Sequence, residues 1–147
     1  MGNTDAMALY GRCLFYGLDC EKDQEEGLRY VLKSFEDEDE ASDQGYVIYG
    51  EMLFRGEGVQ KNVAKAAEYI KKAAKYDKDG MHWYIKLMMD EEIEEVPFDL
   101  DEAVYYSRRG AEKGDGLCMY YYALFLFDGN GIERDRDEAI QWIKKSQ

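Results

Sequence analysis

The chain has 147 residues, 46% of them hydrophobic and only one a proline, a composition that excludes a disordered polypeptide and predicts one domain over residues 1–147. The 32 acidic and 19 basic residues give a formal net charge of −13, and a negative field of this size repels nucleic acid and anionic lipid. Three cysteines without a C-x-x-C spacing, and the lack of an apolar run of about 18 residues, predict reduced thiols, no membrane span and a cytoplasmic location.

Four blocks of sequence, residues 5–40, 41–79, 80–115 and 116–147, repeat one pattern with a period in the thirties. A period of this length is typical of stacked helical hairpins, in which no single unit can bury its own apolar face. The columns of equivalent residues are Asp23, Asn62, Asp99 and Asp135; Gly27, Ala66, Ala103 and Ala139; and Tyr30, Tyr69, Tyr106 and Trp142. Each block is therefore predicted to be a helix-turn-helix unit.

The pattern also predicts helix boundaries, which are clearest in the second block. In the first block, one helix passes through Tyr10 and Gly11, and the next begins at Asp23. In the second block, the apolar run 45–55 predicts a helix, and the two glycines in 56–58 end it. The Asp or Asn that opens each second helix accepts hydrogen bonds from the first turn, and each such cap contributes about 1 kcal/mol.

Gly50 lies in the middle of the first helix of the second block, where glycine costs about 1 kcal/mol relative to alanine. Close approach of a second helix compensates this cost, because a residue without a side chain lets two backbones come together. The second helix of this block carries an apolar stripe at spacings of three and four, which consists of Ala66, Tyr69, Ile70, Ala73 and Ala74. We therefore expect that stripe to pack against Gly50.

The third block departs from the pattern. Ile93 and Glu95 stand where the second block has glycines, and Pro97 follows, so this turn is predicted to differ. The alignment places His82 and Lys86 in two packed columns, which are Ala6, Gly45, His82 and Cys118, and Tyr10, Tyr49, Lys86 and Tyr122. His82, the single histidine, is interpreted as a packed or surface residue and not as a ligand or a catalytic base.

A known family carries this pattern. The second block combines Tyr49-Gly50, Gly56-x-Gly58-Val59, Asn62, Ala66-x-x-Tyr69 and Ala73-Ala74, and the fourth block follows it closely. The set resembles the Sel-one-like repeat, a relative of the tetratricopeptide repeat. The resemblance implies an all-α fold, an alpha-solenoid of about four helix-turn-helix repeats forming a right-handed superhelix. It also implies an adaptor that binds other proteins and has no activity of its own.

No set of residues fits a catalytic, cofactor or metal site. The serines, which are Ser34, Ser42, Ser107 and Ser146, lie outside any G-x-S-x-G elbow. One histidine and three scattered cysteines do not supply a zinc site. Asp77–Gly80 and Asp128–Asn130 contain oxygen ligands, but they do not match the order that an EF-hand requires. The sequence therefore predicts no enzyme, no metal and no cofactor.

A helical projection of the first helices leaves one row of positions for the concave face of the array. In blocks one and two the row reads Asp5, Leu9, Arg12, Tyr16, then Gln44, Ile48, Glu51, Arg55. In blocks three and four it reads Met81, Ile85, Met88, Glu92, then Leu117, Tyr121, Leu124, Asp128. The partner-binding residues predicted from this row are Arg12, Tyr16, Glu51, Arg55, Met81, Ile85, Met88, Glu92, Tyr121, Leu124 and Asp128. A register error of one residue in block three would instead make Ile85 or Met88 part of the core.

The last predicted helix carries Ile140, Trp142 and Ile143, whereas repeat arrays normally end in a polar cap. Either this helix is less apolar on its outer side than the pattern indicates, or another chain packs there. A homo-oligomer formed through the C-terminal helix is one such arrangement.

Three functional hypotheses follow from the sequence. The first is a non-catalytic protein-protein interaction module that binds a protein partner through its concave groove. The second is an acidic immunity or inhibitor protein that neutralises a basic toxin such as a nuclease, with the acidic runs 36–40 and 90–95 as steering elements. The third is an enzyme that uses carboxylates of these runs. Neither nucleic acid nor a membrane is expected as a partner.

Overall fold

The computed structural model describes residues 2–147, which form eight α-helices and contain no β-strand. The helices are α1 (Gly2–Tyr16), α2 (Gln24–Lys33), α3 (Asp43–Arg55), α4 (Val63–Ala74), α5 (Lys78–Met88), α6 (Leu100–Glu112), α7 (Gly116–Asp128) and α8 (Arg136–Lys145). A short 3-10 helix, Glu38–Glu40, precedes α3. The prediction of an all-α chain is confirmed for these residues.

The chain divides into two compact units, Met1–Ala73 and Ala74–Gln147. The core of the first unit consists of Ala8, Phe15, Val31, Ile48, Tyr49, Met52, Leu53 and Ala66. A core cluster of the second unit consists of Ala111, Met119, Tyr122, Ala123, Leu126 and Ala139, with Ile132, Trp142 and Ile143 packed against it. Both clusters draw residues from several helices, because no single hairpin covers its own apolar face.

The second helix of each hairpin begins at the cap that the sequence predicts. The side-chain oxygen of Asp23, Asn62, Asp99 or Asp135 accepts a hydrogen bond from the backbone N–H three residues later, at 3.0 to 3.1 Å. These bonds satisfy N–H groups that have no partner within the helix. All four predicted caps are therefore confirmed.

The turns between the paired helices are of two kinds. Helices α3 and α7 end at Gly56 and Gly129, which have φ angles of 72° and 68° in the left-handed region that glycine adopts without strain. Helix α5 instead ends at Met89, with φ −85°, and the following segment buries Val96. The prediction that the third turn differs is confirmed.

Glycines allow close contact within the first two hairpins. A methyl group at Gly50 would lie 2.7 Å from Cγ1 of Ile70 and 3.3 Å from the carbonyl oxygen of Ala66, so the expected approach of α4 is confirmed. The contact between α1 and α2 is tighter, since a methyl group at Gly27 would lie 2.6 Å from the carbonyl oxygen of Gly11. At this point two backbones meet without intervening side chains.

An edge-to-face pair of aromatic rings joins the two helices of each hairpin. The ring centroids are 5.0 Å apart in Tyr10–Tyr30, 5.1 Å in Tyr49–Tyr69, 5.0 Å in Tyr84–Tyr106 and 5.9 Å in Tyr122–Trp142. The positive edge of one ring meets the negative face of the other, which favours this geometry. In the third hairpin the ring belongs to Tyr84, whereas the sequence alignment placed Lys86 in this column. The predicted register of α5 was therefore wrong by two residues.

We expect Gly27→Ala to lower the free energy of unfolding by about 3 kcal/mol, because the new methyl group forces the backbones of α1 and α2 apart. Gly116→Ala is the matched control. Its methyl group would lie 3.4 Å from the carbonyl oxygen of Ser146, an ordinary contact, so its effect should be about 0.5 kcal/mol or less. Urea unfolding followed by circular dichroism measures both, and equal stabilities would contradict the close contact.

Candidate functional site

The four residues predicted on α1 and α3 share one surface of the first unit. Arg12 and Arg55 are exposed, while Tyr16 and Glu51 are half-buried. Arg55 Nη1 donates to Glu51 Oε2 at 2.8 Å and lies 3.7 Å from Oε1 of Glu57. Burial raises the pKa of the Tyr16 phenol, and the carboxylates of Glu57 and Glu51 raise it further against the opposing charges of Arg55 and Arg12. The structure thus brings all four predicted residues together.

The residues predicted on α5 are placed differently. Met81, Ile85 and Met88 are 0%, 0% and 3% exposed, so they belong to the core and present no surface to a partner. This face of α5 packs into the core because burial of apolar surface is the largest contribution to folding stability. Glu92 is exposed in the segment that follows the helix.

The N-caps of the first helices show the true register of α5. In each case a side-chain oxygen accepts a hydrogen bond from the backbone N–H three residues later: Ser42 from Gly45 at 3.1 Å, Asp77 from Gly80 at 3.4 Å and Asp115 from Cys118 at 3.0 Å. Gly80, and not His82, is therefore equivalent to Gly45 and Cys118. In this register the outward row of the third repeat consists of Asp79, Trp83, Lys86 and Asp90.

Helix α7 carries an apolar stripe along its outward face. The stripe consists of Leu117, Tyr120, Tyr121, Leu124 and Phe127, at helical spacings of three and four. Tyr120, Leu124 and Phe127 are 46%, 37% and 37% exposed. Of the residues predicted from sequence, Tyr121 and Leu124 lie within the stripe, and the exposed Asp128 lies at its end.

A cleft of about 380 Å³ lies beside this stripe in the second unit. Its lining residues are His82, Lys86, Met89, Asp90, Leu117 and Tyr121. Lys86 and Asp90 belong to the outward row of the third repeat, and Leu117 and Tyr121 belong to that of the fourth. The Lys86 ammonium lies 4.8 Å from the centre of the Trp83 ring. Trp83 and Lys86 were not among the surface residues predicted from the sequence, although the N-cap at Asp77 indicates the register.

His82 and Asp115 connect α5 to the start of α7. His82 Nδ1 donates to the Asp115 carboxylate, at 2.9 Å from Oδ1 and 3.1 Å from Oδ2. Burial acts to raise the pKa of Asp115, but hydrogen bonds from His82 and Cys118 outweigh it and hold this pKa below its ordinary value of 3.8. Burial raises the pKa of the Cys118 thiol far above its ordinary range, and the negative charge of Asp115 makes a smaller contribution in the same direction. The group is therefore a structural contact, because a buried thiol of this kind is not a nucleophile.

Within residues 2–147, no three histidine, cysteine, aspartate or glutamate side chains cluster as a metal site would require. No helix in this described part of the chain combines the length and the apolar character needed to cross a bilayer. On α8, Trp142 and Ile143 pack against the core of the second unit, while Ile140 is 44% exposed. The last helix is therefore less apolar on its outer side than the sequence pattern indicates.

Helical hairpins that repeat the same caps and the same ring pair define an α-solenoid of helical repeats. The family model of the Sel1 repeat matches residues 4–39, 43–75, 94–115 and 116–146. The chain belongs to the Sel1 repeat family, which confirms the resemblance seen in the sequence motifs. Helix α5 lies in the segment that the model leaves unmatched, and it is also the helix whose register the sequence alignment missed.

Solved structures show the same fold. A Sel1 repeat protein from Oxalobacter formigenes superimposes with a TM-score of 0.66 and 21% identity, over 97% of this chain and 40% of that chain. A protective antigen present in uropathogenic Escherichia coli strains, which displays an SLR fold, gives a TM-score of 0.78 and 22% identity, over 99% of this chain and 30% of that one. The chain thus spans less than half the length of either protein. No curated protein matches it.

Sel1 repeats generally mediate protein-protein interaction, and proteins built from them are typically non-catalytic scaffolds.

The His82–Asp115 contact predicts a pH dependence of stability. The Asp115 carboxyl has a lower pKa in the folded protein than in the unfolded chain. Its charge therefore stabilises the fold at any pH above the unfolded pKa, and this stabilisation is lost as the pH falls through the folded pKa. We expect Asp115→Asn to lower the free energy of unfolding by about 1 kcal/mol at about pH 5, since asparagine keeps the cap but loses the charged hydrogen bond. As the pH falls below 3.8, the free energies of unfolding of the parent chain and of the variant should converge. Urea unfolding across this range measures the difference, and a gap that stays constant would contradict the assignment.

Proposed function

We propose that this chain is a non-catalytic protein-binding module, an adaptor, that contacts its partner through the outward rows of its first helices. The apolar stripe of α7 is the observation that carries this proposal. Exposed apolar patches on globular proteins usually mark binding sites, and tyrosine and other aromatic residues contribute most of the energy at interface centres. The interaction role of Sel1 repeats supports the same conclusion.

The two units offer a partner different chemistry. In the first unit, Arg12 and the Glu51–Arg55 ion pair surround Tyr16, so this surface is charged and suits the polar rim of an interface. In the second unit, Leu117 and Tyr121 of the stripe line a cleft large enough for an aliphatic or aromatic side chain. An apolar anchor on the partner would be desolvated in the second unit, where we expect most of the affinity to arise.

We expect Leu124→Asp to weaken partner binding by at least about tenfold while leaving the fold intact, because Leu124 is 37% exposed and lies at the centre of the stripe. Ile140→Asp is the matched control, since Ile140 is 44% exposed and lies on α8, outside the rows. Affinity capture with the parent chain identifies the partner, and titration of that partner against both variants gives the dissociation constants.

Two results would count against this assignment. Equal losses of affinity in the two variants would show that the stripe has no special role. Loss of helical signal in Leu124→Asp alone would show that Leu124 supports the fold, in which case Tyr121→Ser provides a milder probe of the same surface.

The alternative is an acidic inhibitor that neutralises a basic protein such as a nuclease. The exposure of the acidic runs favours it, because every residue of 36–40 and every acidic residue of 90–95 lies on the surface. Charges at these positions act over roughly 8 Å at physiological ionic strength and can guide a basic partner before contact. The apolar stripe would then hold the complex together.

If the partner is basic, we expect its association rate to fall about tenfold or more between low and physiological salt while the dissociation rate changes little. Neutralising three acids of the run at 36–40, by Glu36→Gln, Glu38→Gln and Glu40→Gln, should slow association at low salt. The matched control neutralises exposed acids outside both runs, by Glu21→Gln, Glu68→Gln and Glu133→Gln. Surface plasmon resonance over a salt series measures the rates. Association rates that do not depend on salt would exclude the inhibitor hypothesis, and equal slowing by both sets of substitutions would exclude steering by the runs.

A further inference from the structure

The first unit contains a second concave site, here called the aromatic cavity. It has a volume of about 650 Å³ and lies where the end of α2 meets α3 and α4. Its lining residues are Arg29, Leu32, Lys33, Phe35, Glu36, Glu38, Tyr46, Tyr69 and Lys72. None of them belongs to the outward rows, so a ligand of this cavity would be additional to the contacts proposed above.

Three aromatic rings that line the aromatic cavity are packed against one another. The centroid of the Phe35 ring lies 5.0 Å from that of Tyr46 and 5.4 Å from that of Tyr69. The centroids of the two tyrosine rings are 5.8 Å apart. The Lys72 ammonium lies 5.5 Å from the centre of the Tyr46 ring and 5.4 Å from that of the Tyr69 ring. The ring faces attract a cation electrostatically, and a cation of the chain itself is placed there.

The charges around these rings also favour a cation. Glu36 and Glu38 line the aromatic cavity. Burial raises the pKa of the Tyr46 phenol, and the carboxylates of Glu38 and Asp43 raise it further, so two negative charges act on this ring. The net charge of −13 adds a long-range attraction for positively charged ligands.

The two remaining basic residues of the lining do not reverse this preference. Arg29 donates from Nε to Glu26 Oε2 at 3.1 Å, makes a second bond from Nη2 to Oε1, and lies 5.3 Å from the centre of the Tyr30 ring. Its charge is therefore balanced within α2. Lys33 lies in the last turn of α2, where the negative end of the helix dipole offsets its charge.

We propose that the aromatic cavity binds an arginine side chain of a basic protein partner, which takes the place of the Lys72 ammonium over the tyrosine rings. A guanidinium group is planar and weakly hydrated, so it stacks on aromatic faces better than an ammonium does. Its N–H groups can also pair with carboxylates such as those of Glu36 and Glu38. Lys72 is exposed, and its ammonium can move into water when the site is filled.

The test uses the full chain and acetyl-arginine amide as the probe, with NMR detection of the ring protons of Phe35, Tyr46 and Tyr69. We expect these resonances to shift with a saturable dependence on probe concentration. Acetyl-citrulline amide has nearly the same shape without the charge and should leave them unchanged. Equal shifts with the two compounds would overturn the proposal, as would shifts caused by inorganic phosphate, which would mark an anion site.

Two pairs of variants connect binding to the proposed contacts. Lys72→Met removes the competing ammonium and should tighten binding of the probe about threefold, whereas Lys71→Met makes the same change of charge outside the cavity and should not. Glu38→Gln should weaken binding about fivefold, and Glu40→Gln, which lies outside the lining, should have little effect. If Lys72→Met binds the probe no better than Lys71→Met, the lysine does not occupy the arginine position and the proposal is wrong. Because no variant removes a buried side chain, each is expected to fold.

Discussion

The ring pair between the two helices of each hairpin sets the rotation of the first helix, and thereby the residues that face outward. A ring held edge-on against another cannot turn about its helix axis without losing a contact worth about 0.5 to 1.5 kcal/mol beyond the area that it buries. The first-helix rings of the four pairs belong to Tyr10, Tyr49, Tyr84 and Tyr122. Two positions further along each helix stand Arg12, Glu51, Lys86 and Leu124. Glu51 is half-buried and the other three are exposed. The set of side chains that face outward is therefore a consequence of internal packing.

Most of the fold could be predicted from the sequence because local chemistry determines it. The caps at Asp23, Asn62, Asp99 and Asp135 and the close approach at Gly50 depend on single residue types whose conformational preferences are strong. The register of α5 could not be obtained by counting through the third turn, because that turn has lost its glycines and changed its length. The polarity of the residues would have revealed the error. The predicted register put the charged Lys86 in a packed column and the apolar Met81 and Ile85 at the surface, which is the reverse of the usual distribution.

The proposed binding surfaces were less predictable than the helices. Where the register was correct, the projected residues are accessible: Arg12 on α1 and Leu124 on α7 are exposed, and Tyr16 on α1 is half-buried. No sequence pattern predicted the aromatic cavity. Phe35 follows the end of α2, and its ring contacts those of Tyr46 and Tyr69 only once α2, α3 and α4 have packed together. A repeat pattern describes what the units share, whereas a ligand site depends on how they differ.

The thiols of the chain differ widely in environment. Cys118 is fully buried at the start of α7, and both burial and the Asp115 charge keep it protonated. Cys20 is exposed in the turn between α1 and α2. Since alkylating reagents and peroxides react with an accessible thiolate, they will reach Cys20 in the native protein and spare Cys118 until the second unit opens. The rate at which Cys118 becomes modified therefore reports how often that unit unfolds, without any engineered label.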